Sequence, residues 1–327
     1  MENKREYKRE QITAAAVIIV MAGVVAFLSA LYAERGGGFR IMDAGLQNTI
    51  EIPLSDADSL LADYGSKNLK VYAWQEDRIV IKEYLNSTHP GAKATVEYEG
   101  KNAVVTGGKW QWRFPNLLFM MGSNERIEIY LPAQGIKELE LHTCSGNIRA
   151  EEGFAIEAQT ADIRAGSGNI TWKNTSAGQI TLYANSGNVR GNGLTGNVDL
   201  HTGSGNITAK GIEGAVTAEA GSGNITIEEL DGSCRAKTGS GNLKIEAGKV
   251  TGDISTQTGS GNQHLALPKD LSFSLEVSTG SGNIHTDYDG ELSYNKKGNR
   301  AEGQIGDEPV CRVTVDAGSG NVTIKGG

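Results

Sequence analysis

Proline and cysteine are scarce in this chain of 327 residues, with six prolines and three cysteines. Glycine is plentiful, at 44 residues, but it does not recur at every third position, so a collagen triple helix is excluded. Cys144, Cys234 and Cys311 lie far apart without a CxxC spacing, which leaves neither a disulfide framework nor a zinc site. Basic residues are also in deficit, 31 Lys and Arg against 39 Asp and Glu, for a net charge of −8. Gripping phosphates requires clustered cations that displace counterions, so a nucleic-acid partner is not expected. Aromatic residues make up only 6 % of the chain, yet apolar residues reach 38 % and charged ones stay at 21 %, which argues for a packed core and against wholesale disorder.

One long hydrophobic run is present. Residues 12–33, ITAAAVIIVMAGVVAFLSALYA, hold no charge, and a helix of that length crosses a hydrocarbon core of ~30 Å. Lys4, Arg5, Lys8 and Arg9 precede it, so the positive-inside rule puts residues 1–11 in the cytoplasm and the rest outside. A cleaved signal peptide is the competing reading, but the best cleavage site, after Ala33, has the bulky Leu31 at −3. The expectation is a single-pass signal-anchor in a cell membrane, then a linker over 34–46 that opens with Gly36, Gly37 and Gly38.

The glycine is explained by a repeat. Ser-Gly-Asn recurs with its Asn at Asn147, Asn169, Asn188, Asn206, Asn224, Asn242, Asn262, Asn283 and Asn321, at intervals of 22, 19, 18, 18, 18, 20, 21 and 38. The last interval predicts two coils, the second without its motif. In a unit such as SGNITAKGIEGAVTAEAG, two short alternating runs, 206–210 and 215–220, are separated by glycine turns. A unit this small buries its apolar face only by stacking on its neighbours. The fold class expected is therefore all-β: a single-stranded parallel β-solenoid over 133–327 with coils of ~18 to 20 residues, preceded by one transmembrane helix. About ten coils at ~4.8 Å give a rod on the order of 45 to 50 Å long. Glycine suits corners that need positive φ or close backbone approach, and the in-register asparagines predict a structural ladder of side-chain hydrogen bonds.

The same motif offers no ligand chemistry. A calcium β-roll needs carboxylates where all nine copies carry Asn, and no helix start or GK[ST] follows to make a phosphate loop. Residues 47–132 are β-rich but less periodic, and read as first coils or a cap over an otherwise open edge. His142 and His201 share a place in their coils, yet three coils separate them, about 14 Å, too far to share a metal. His89, His264 and His285 stand alone, Cys234 reads as a small packed hydrophobe, and no GxSxG elbow occurs. No catalytic, cofactor-binding or metal residue is assigned, and no cofactor is expected. One segment stands out: Trp110, Trp112 and Phe114 alternate in KWQWRFPNLLFMM, where they could cap the solenoid, stack on sugars or dock into the outer leaflet.

The alternating run 77–83, the strand leading into Leu131-Pro132, LELHTCSGNI over 139–148 and VTVDAGSGNVTI over 313–324 resemble the bacterial putative-adhesin domain family, across roughly residues 45–327. Cys144 departs from the pattern, standing where TGSGN has Gly. The resemblance implies a β-solenoid of the cell surface with no catalytic residues to carry over. Related Gram-positive proteins imply a link to cell-envelope stress. The expected function is that of a non-enzymatic, membrane-anchored adhesin or envelope-interaction module, with cell-wall or envelope components or a membrane protein as partner. The alternatives are a sensory component of an envelope stress response acting through a membrane partner, and a carbohydrate-active β-helix enzyme.

Overall fold

A computed structural model of the chain describes residues 44–109, 124–288 and 291–327. The expected span at 12–33, residues 34–43 of the linker, and Trp110, Trp112 and Phe114 lie outside the described residues, while Gly45 and Leu46, placed in the linker by sequence, begin the first strand because they pair with Leu85 and Tyr84. Among the described residues, no helix is long and apolar enough to cross a membrane.

The strands, in chain order, are β1 (Gly45–Pro53), β2 (Ser59–Asp63), β3 (Asn68–Trp74), β4 (Arg78–Leu85), β5 (Thr95–Glu99), β6 (Asn102–Thr106), β7 (Arg126–Pro132), β8 (Glu138–Thr143), β9 (Ile148–Ala150), β10 (Ile156–Ala165), β11 (Ile170–Ala184), β12 (Val189–Thr202), β13 (Ile207–Ser222), β14 (Ile225–Ser240), β15 (Leu243–Ser260), β16 (Gln263–Leu267), β17 (Phe273–Ser281), β18 (Ile284–Thr286), β19 (Glu291–Tyr294), β20 (Arg300–Ile305), β21 (Cys311–Ser319) and β22 (Val322–Gly326). The fold is all-β and solenoid-like.

One coil shows how sequence becomes structure. In β13, Ile207, Ala209, Ile212, Val216 and Ala218 are buried and point inward, while Thr208, Lys210, Glu213 and Glu219 face out. The chain turns at Gly211 (φ 64°) and again at Gly214 (φ 128°), so the coil has three sides. The two runs expected from sequence are the first and third, and Ile212–Glu213 is a two-residue side between them. The first of these corners runs up the stack as Asn174 (φ 44°), Gly193 (φ 63°), Gly211 and Glu229 (φ 53°), so left-handed backbone is held here by Asn and Glu as well as by glycine. Asn174 offsets the strain with a side-chain bond to the Phe154 carbonyl at 2.9 Å, and Glu229 with an ion pair to Lys210 at 3.1 Å.

Among the described residues, the pairings give eleven stacked levels. β6 and β7 form level one, β2 and β3 level two, β8 and β9 level three. From β10 to β16 the chain winds upward in order, each long strand bending to serve two levels, through level nine. Level ten is β21 and β22, and level eleven is β17 and β18. The expectation of two coils between Asn283 and Asn321, the second without its motif, is therefore corrected: that stretch makes the antiparallel β19 and β20, and the C-terminal coil is inserted below the coil that precedes it in sequence. The register is the reason, because every coil offers the same edge, and spacing alone does not fix the order in space.

Antiparallel strands close the ends. β4 and then β1 extend level one on one side and β5 on another, while β20 and β19 cover β17 at level eleven. The inward aliphatic side chains form one continuous core, from Ile52 and Ile81 through Leu200 and Ile227 to Val322 and Ile324. Burying each such side chain contributes about 1.5 to 3 kcal/mol, which makes the stack the main source of stability.

Candidate functional site: an aromatic face on the first levels

The asparagines stand in register at the third corner. Each backbone N–H donates to the Oδ1 of the Asn one level below: Asn147 to Asn68 at 2.8 Å, Asn169 to Asn147 at 2.9 Å, Asn188 to Asn169 at 2.9 Å and Asn206 to Asn188 at 2.9 Å. Asn224, Asn242 and Asn262 continue at 2.8, 2.8 and 2.9 Å. Asn321 then donates to Asn262 at 2.9 Å, and Asn283 to Asn321 at 3.0 Å. The expected side-chain to side-chain bonds join the lower rungs, from Asn68 to Asn206, at 2.9 to 3.3 Å. The first rung, Asn68, is absent from the Ser-Gly-Asn set because Lys67 replaces the glycine in Ser66-Lys67-Asn68. These side chains are committed to the backbone, which makes the ladder a structural device.

The remaining sequence candidates are dispersed. His142, Arg164, Tyr183 and His201 occupy consecutive levels of one face, so the two histidines are three levels apart. The rings of Tyr183 and His201 stack at 4.8 Å and 2°. His264 and His285 flank Thr323, two levels apart, and His89 Nδ1 accepts the Gly91 N–H at 3.0 Å. Among the described residues no three His, Cys, Asp or Glu side chains are placed to hold a metal. Cys234 is buried, and burial pushes its thiol up to about 12. Cys144 is exposed.

What sequence reasoning missed is an aromatic face on the first two levels and the strand below them. Alternation along β3, β7 and β4 turns Tyr72, Trp74, Tyr130 and Tyr84 outward, and pairing brings them side by side. Tyr72 and Tyr130 stack at 4.9 Å and 16°, with Trp74 tilted against Tyr130 at 5.6 Å. Lys82 Nζ lies 4.7 Å from the Tyr130 ring centre, Arg126 3.8 Å from that of Tyr84, and Arg78 5.6 Å from that of Trp74.

Glu128 organises the centre, accepting from Arg126 Nε at 2.8 Å and from the Tyr130 hydroxyl at 3.1 Å. Burial, and then the Glu128 carboxylate, push the Tyr130 hydroxyl up to about 12 and raise that of Tyr72. Both phenols therefore stay protonated at neutral pH. Each ring has a neighbouring ring or cation beside it, so the face presents aromatic rings together with polar tips and aliphatic stems of Lys and Arg. Such a surface suits a partner that is apolar on one side and wet on the other. Just inside it, the buried Glu83 carboxylate accepts from Asn48 Nδ2 at 2.6 Å and from the Ala94 N–H at 3.0 Å, fastening β1 and the segment before β5.

Comparison with known proteins adds the following. No curated protein matches the chain significantly. A crystal structure of a putative adhesin from Bacteroides fragilis NCTC 9343 is similar at 13 % identity, covering 85 % of this chain and 96 % of that one, with a TM-score of 0.39. A putative adhesin from Parabacteroides distasonis ATCC 8503 gives 9 % identity, 85 % and 97 % coverage and a TM-score of 0.35. A putative lipid binding protein from the same organism gives 16 %, 84 % and 96 %, and a TM-score of 0.29. The family model described as Toastrack DUF4097 matches residues 47–325, from the first strand to the last, and the chain thus belongs to the Toastrack DUF4097 family.

Proposed function

We propose that this protein is a non-enzymatic module of a bacterial cell surface. Residues 12–33 anchor it, residues 1–11 lie inside, and the solenoid outside touches envelope components. The observation that carries this reading is the aromatic face: in a chain with 6 % aromatic residues, four rings from three separate strands converge outward on a rigid support. Amphipathic rings beside charged tips suit the sugar and peptide surfaces of a cell wall. Trp110, Trp112 and Phe114 lie in sequence between β6 and β7, the strands of level one, and add a second candidate contact.

Purified ectodomain should sediment with isolated cell walls, and Tyr72→Ala with Tyr130→Ala, or Trp110→Ala with Trp112→Ala, should weaken that binding several-fold. Absence of binding by the unaltered protein would sink the adhesive reading. Recovery of one membrane protein with the full chain would favour the sensory reading instead. For topology, Gly37→Cys in a chain with Cys144→Ser should react with an impermeant thiol reagent on intact cells. Failure to label it would reverse the orientation.

A further inference from the structure

The C-terminal coil, β21 and β22, lies between two coils that match each other. Ile254 and Leu275 both oppose Val313, Thr258 and Thr279 both oppose Ala317, and Ser260 and Ser281 both oppose Ser319. On the adjoining side Val322 opposes Gln263 below and Ile284 above. In the ladder, Asn321 donates to Asn262 and accepts from Asn283. Without the inserted coil the two flanking edges would still be complementary. Asn262 and Asn283 are 21 residues apart, within the range of 18 to 22 that separates successive coils elsewhere in the chain. The slot at level ten can thus close on itself, and the state lacking the insert is a solenoid one level shorter.

One exposed connection joins the insert to the strand before it. It runs through Gly306, at φ 75°, and residues 307–310, all of them exposed, with Val310 at 72 %. An element held by uniform, repeated edge contacts and joined through an exposed loop is one that identical chains can exchange while keeping its contacts.

We propose that residues 311–326 are an exchangeable insert, and that the partner they fit is a second copy of this chain, each copy placing its C-terminal coil in the level-ten slot of the other. All the strand pairings are kept in the exchanged dimer. Only the path of residues 306–310 and the entropy of association distinguish it from the monomer.

The test uses the full chain with Cys144→Ser, Cys234→Ala and Cys311→Ala. Ser260→Cys and Ser319→Cys are placed on separate, differently tagged copies made in the same cells. Adjacent strands ~4.8 Å apart fall within the reach of a disulfide, and all three positions used are exposed. Exchange predicts an oxidised heterodimer of the two tags. The pair Ser260→Cys and Ser281→Cys, which share no edge in either the monomer or the exchanged dimer, should give at least tenfold less. Deleting Asp307 and Glu308 shortens the connection and should raise the dimer fraction several-fold. A single chain carrying both Ser260→Cys and Ser319→Cys should close an internal disulfide, which reports that the geometry is sound. If that internal bond forms while the mixed copies stay monomeric, the exchange does not occur. Equal cross-linking of the Ser281→Cys pair would mean random collision, and would overturn the proposal as well.

Discussion

The buried hydroxyl of Thr202 donates to the carbonyl oxygen of Gly187, 2.7 Å away on the neighbouring level, and accepts the N–H of Gly205 at 3.0 Å. Thr238, Thr258 and Thr279 repeat the first of these bonds to Gly223, Gly241 and Gly320 at 2.8, 3.1 and 2.9 Å. The threonine of the TGSGN pattern thus holds the corner from inside while the asparagine holds it from outside. Thr202→Val keeps the shape and strands both partners, and should cost about 2 kcal/mol. Urea unfolding would show this as a lower midpoint at unchanged slope, and an unchanged midpoint would count against the bond.

At the same corner, a Cβ on Gly205 would lie 2.1 Å from the Gly187 carbonyl oxygen, whereas one on Gly153, at φ 73°, meets nothing within 4 Å. Gly205→Ala must push two levels apart and should cost more than about 3 kcal/mol, while Gly153→Ala costs only the ~1 kcal/mol of left-handed backbone. Thermal melts of the two variants separate close approach from conformational freedom. Equal losses would contradict the distinction.

Trp172 is fully buried, edge-on to Phe154 at 4.9 Å between ring centres, and its indole N–H has no hydrogen-bond partner. Trp172→Ala should cost about 3 to 5 kcal/mol through the cavity left behind. Trp172→Phe removes the unpaired N–H along with some volume, and should cost less than half as much. Denaturant titration of both variants gives the ratio.

The repeat was legible in the sequence because its asparagines recur at nearly constant intervals, and alternation in stretches such as Ile225 and Ile227 told which side faces in. The two-residue side Ile212–Glu213 was not, since two residues show no alternation. Asn68 was hidden by Lys67 in the place of glycine. The position of Asn321 was misread because a gap of 38 residues equals two coils, and a coil inserted out of order keeps the same register. The aromatic face left no local trace: Tyr72, Tyr84 and Tyr130 come from three strands, and only the pairing of β3, β7 and β4 brings them together.

Alkaline pH should weaken the fold through its tyrosines. Burial, followed by nearby carboxylates, raises the hydroxyl of Tyr64 beside Glu83, that of Tyr130 beside Glu128, and that of Tyr288 near Asp287 and Asp270. Below the ordinary tyrosine value near 10, folded and unfolded chains are both protonated and stability is unaffected. Above it the unfolded chain loses protons that the native state retains, so stability falls as pH rises toward the Tyr130 value of about 12 and beyond. Unfolding followed at pH 8, 10 and 11, with phenolate absorbance, should show late tyrosine ionisation coinciding with loss of structure. Full ionisation in the folded state at pH 10.5 would refute it.

The cysteines should separate cleanly by reactivity. Cys144 is exposed, Cys234 is buried with its thiol pushed up to about 12, and burial and then Asp253 raise the thiol of Cys311. A thiol reagent at pH 8 should modify Cys144 within minutes and reach Cys234 only on unfolding. Mass spectrometry of the labelled peptides identifies the sites, and native labelling of Cys234 would contradict its packing.

The closures at the two ends have a consequence for how long such a molecule can be. Each end of the described stack visits one level out of turn, so a repeat placed directly before β1 or after β22 would not continue the stack. The coils beginning at Val189, Ile207 and Ile225 are successive 18-residue translations in the same register, and touch neither closure. Growth or shrinkage by one whole coil that leaves both closures unchanged is therefore open to the middle of the stack. Reach becomes an integer variable, adjustable by duplicating or losing a single interior stretch while both end seals stay untouched.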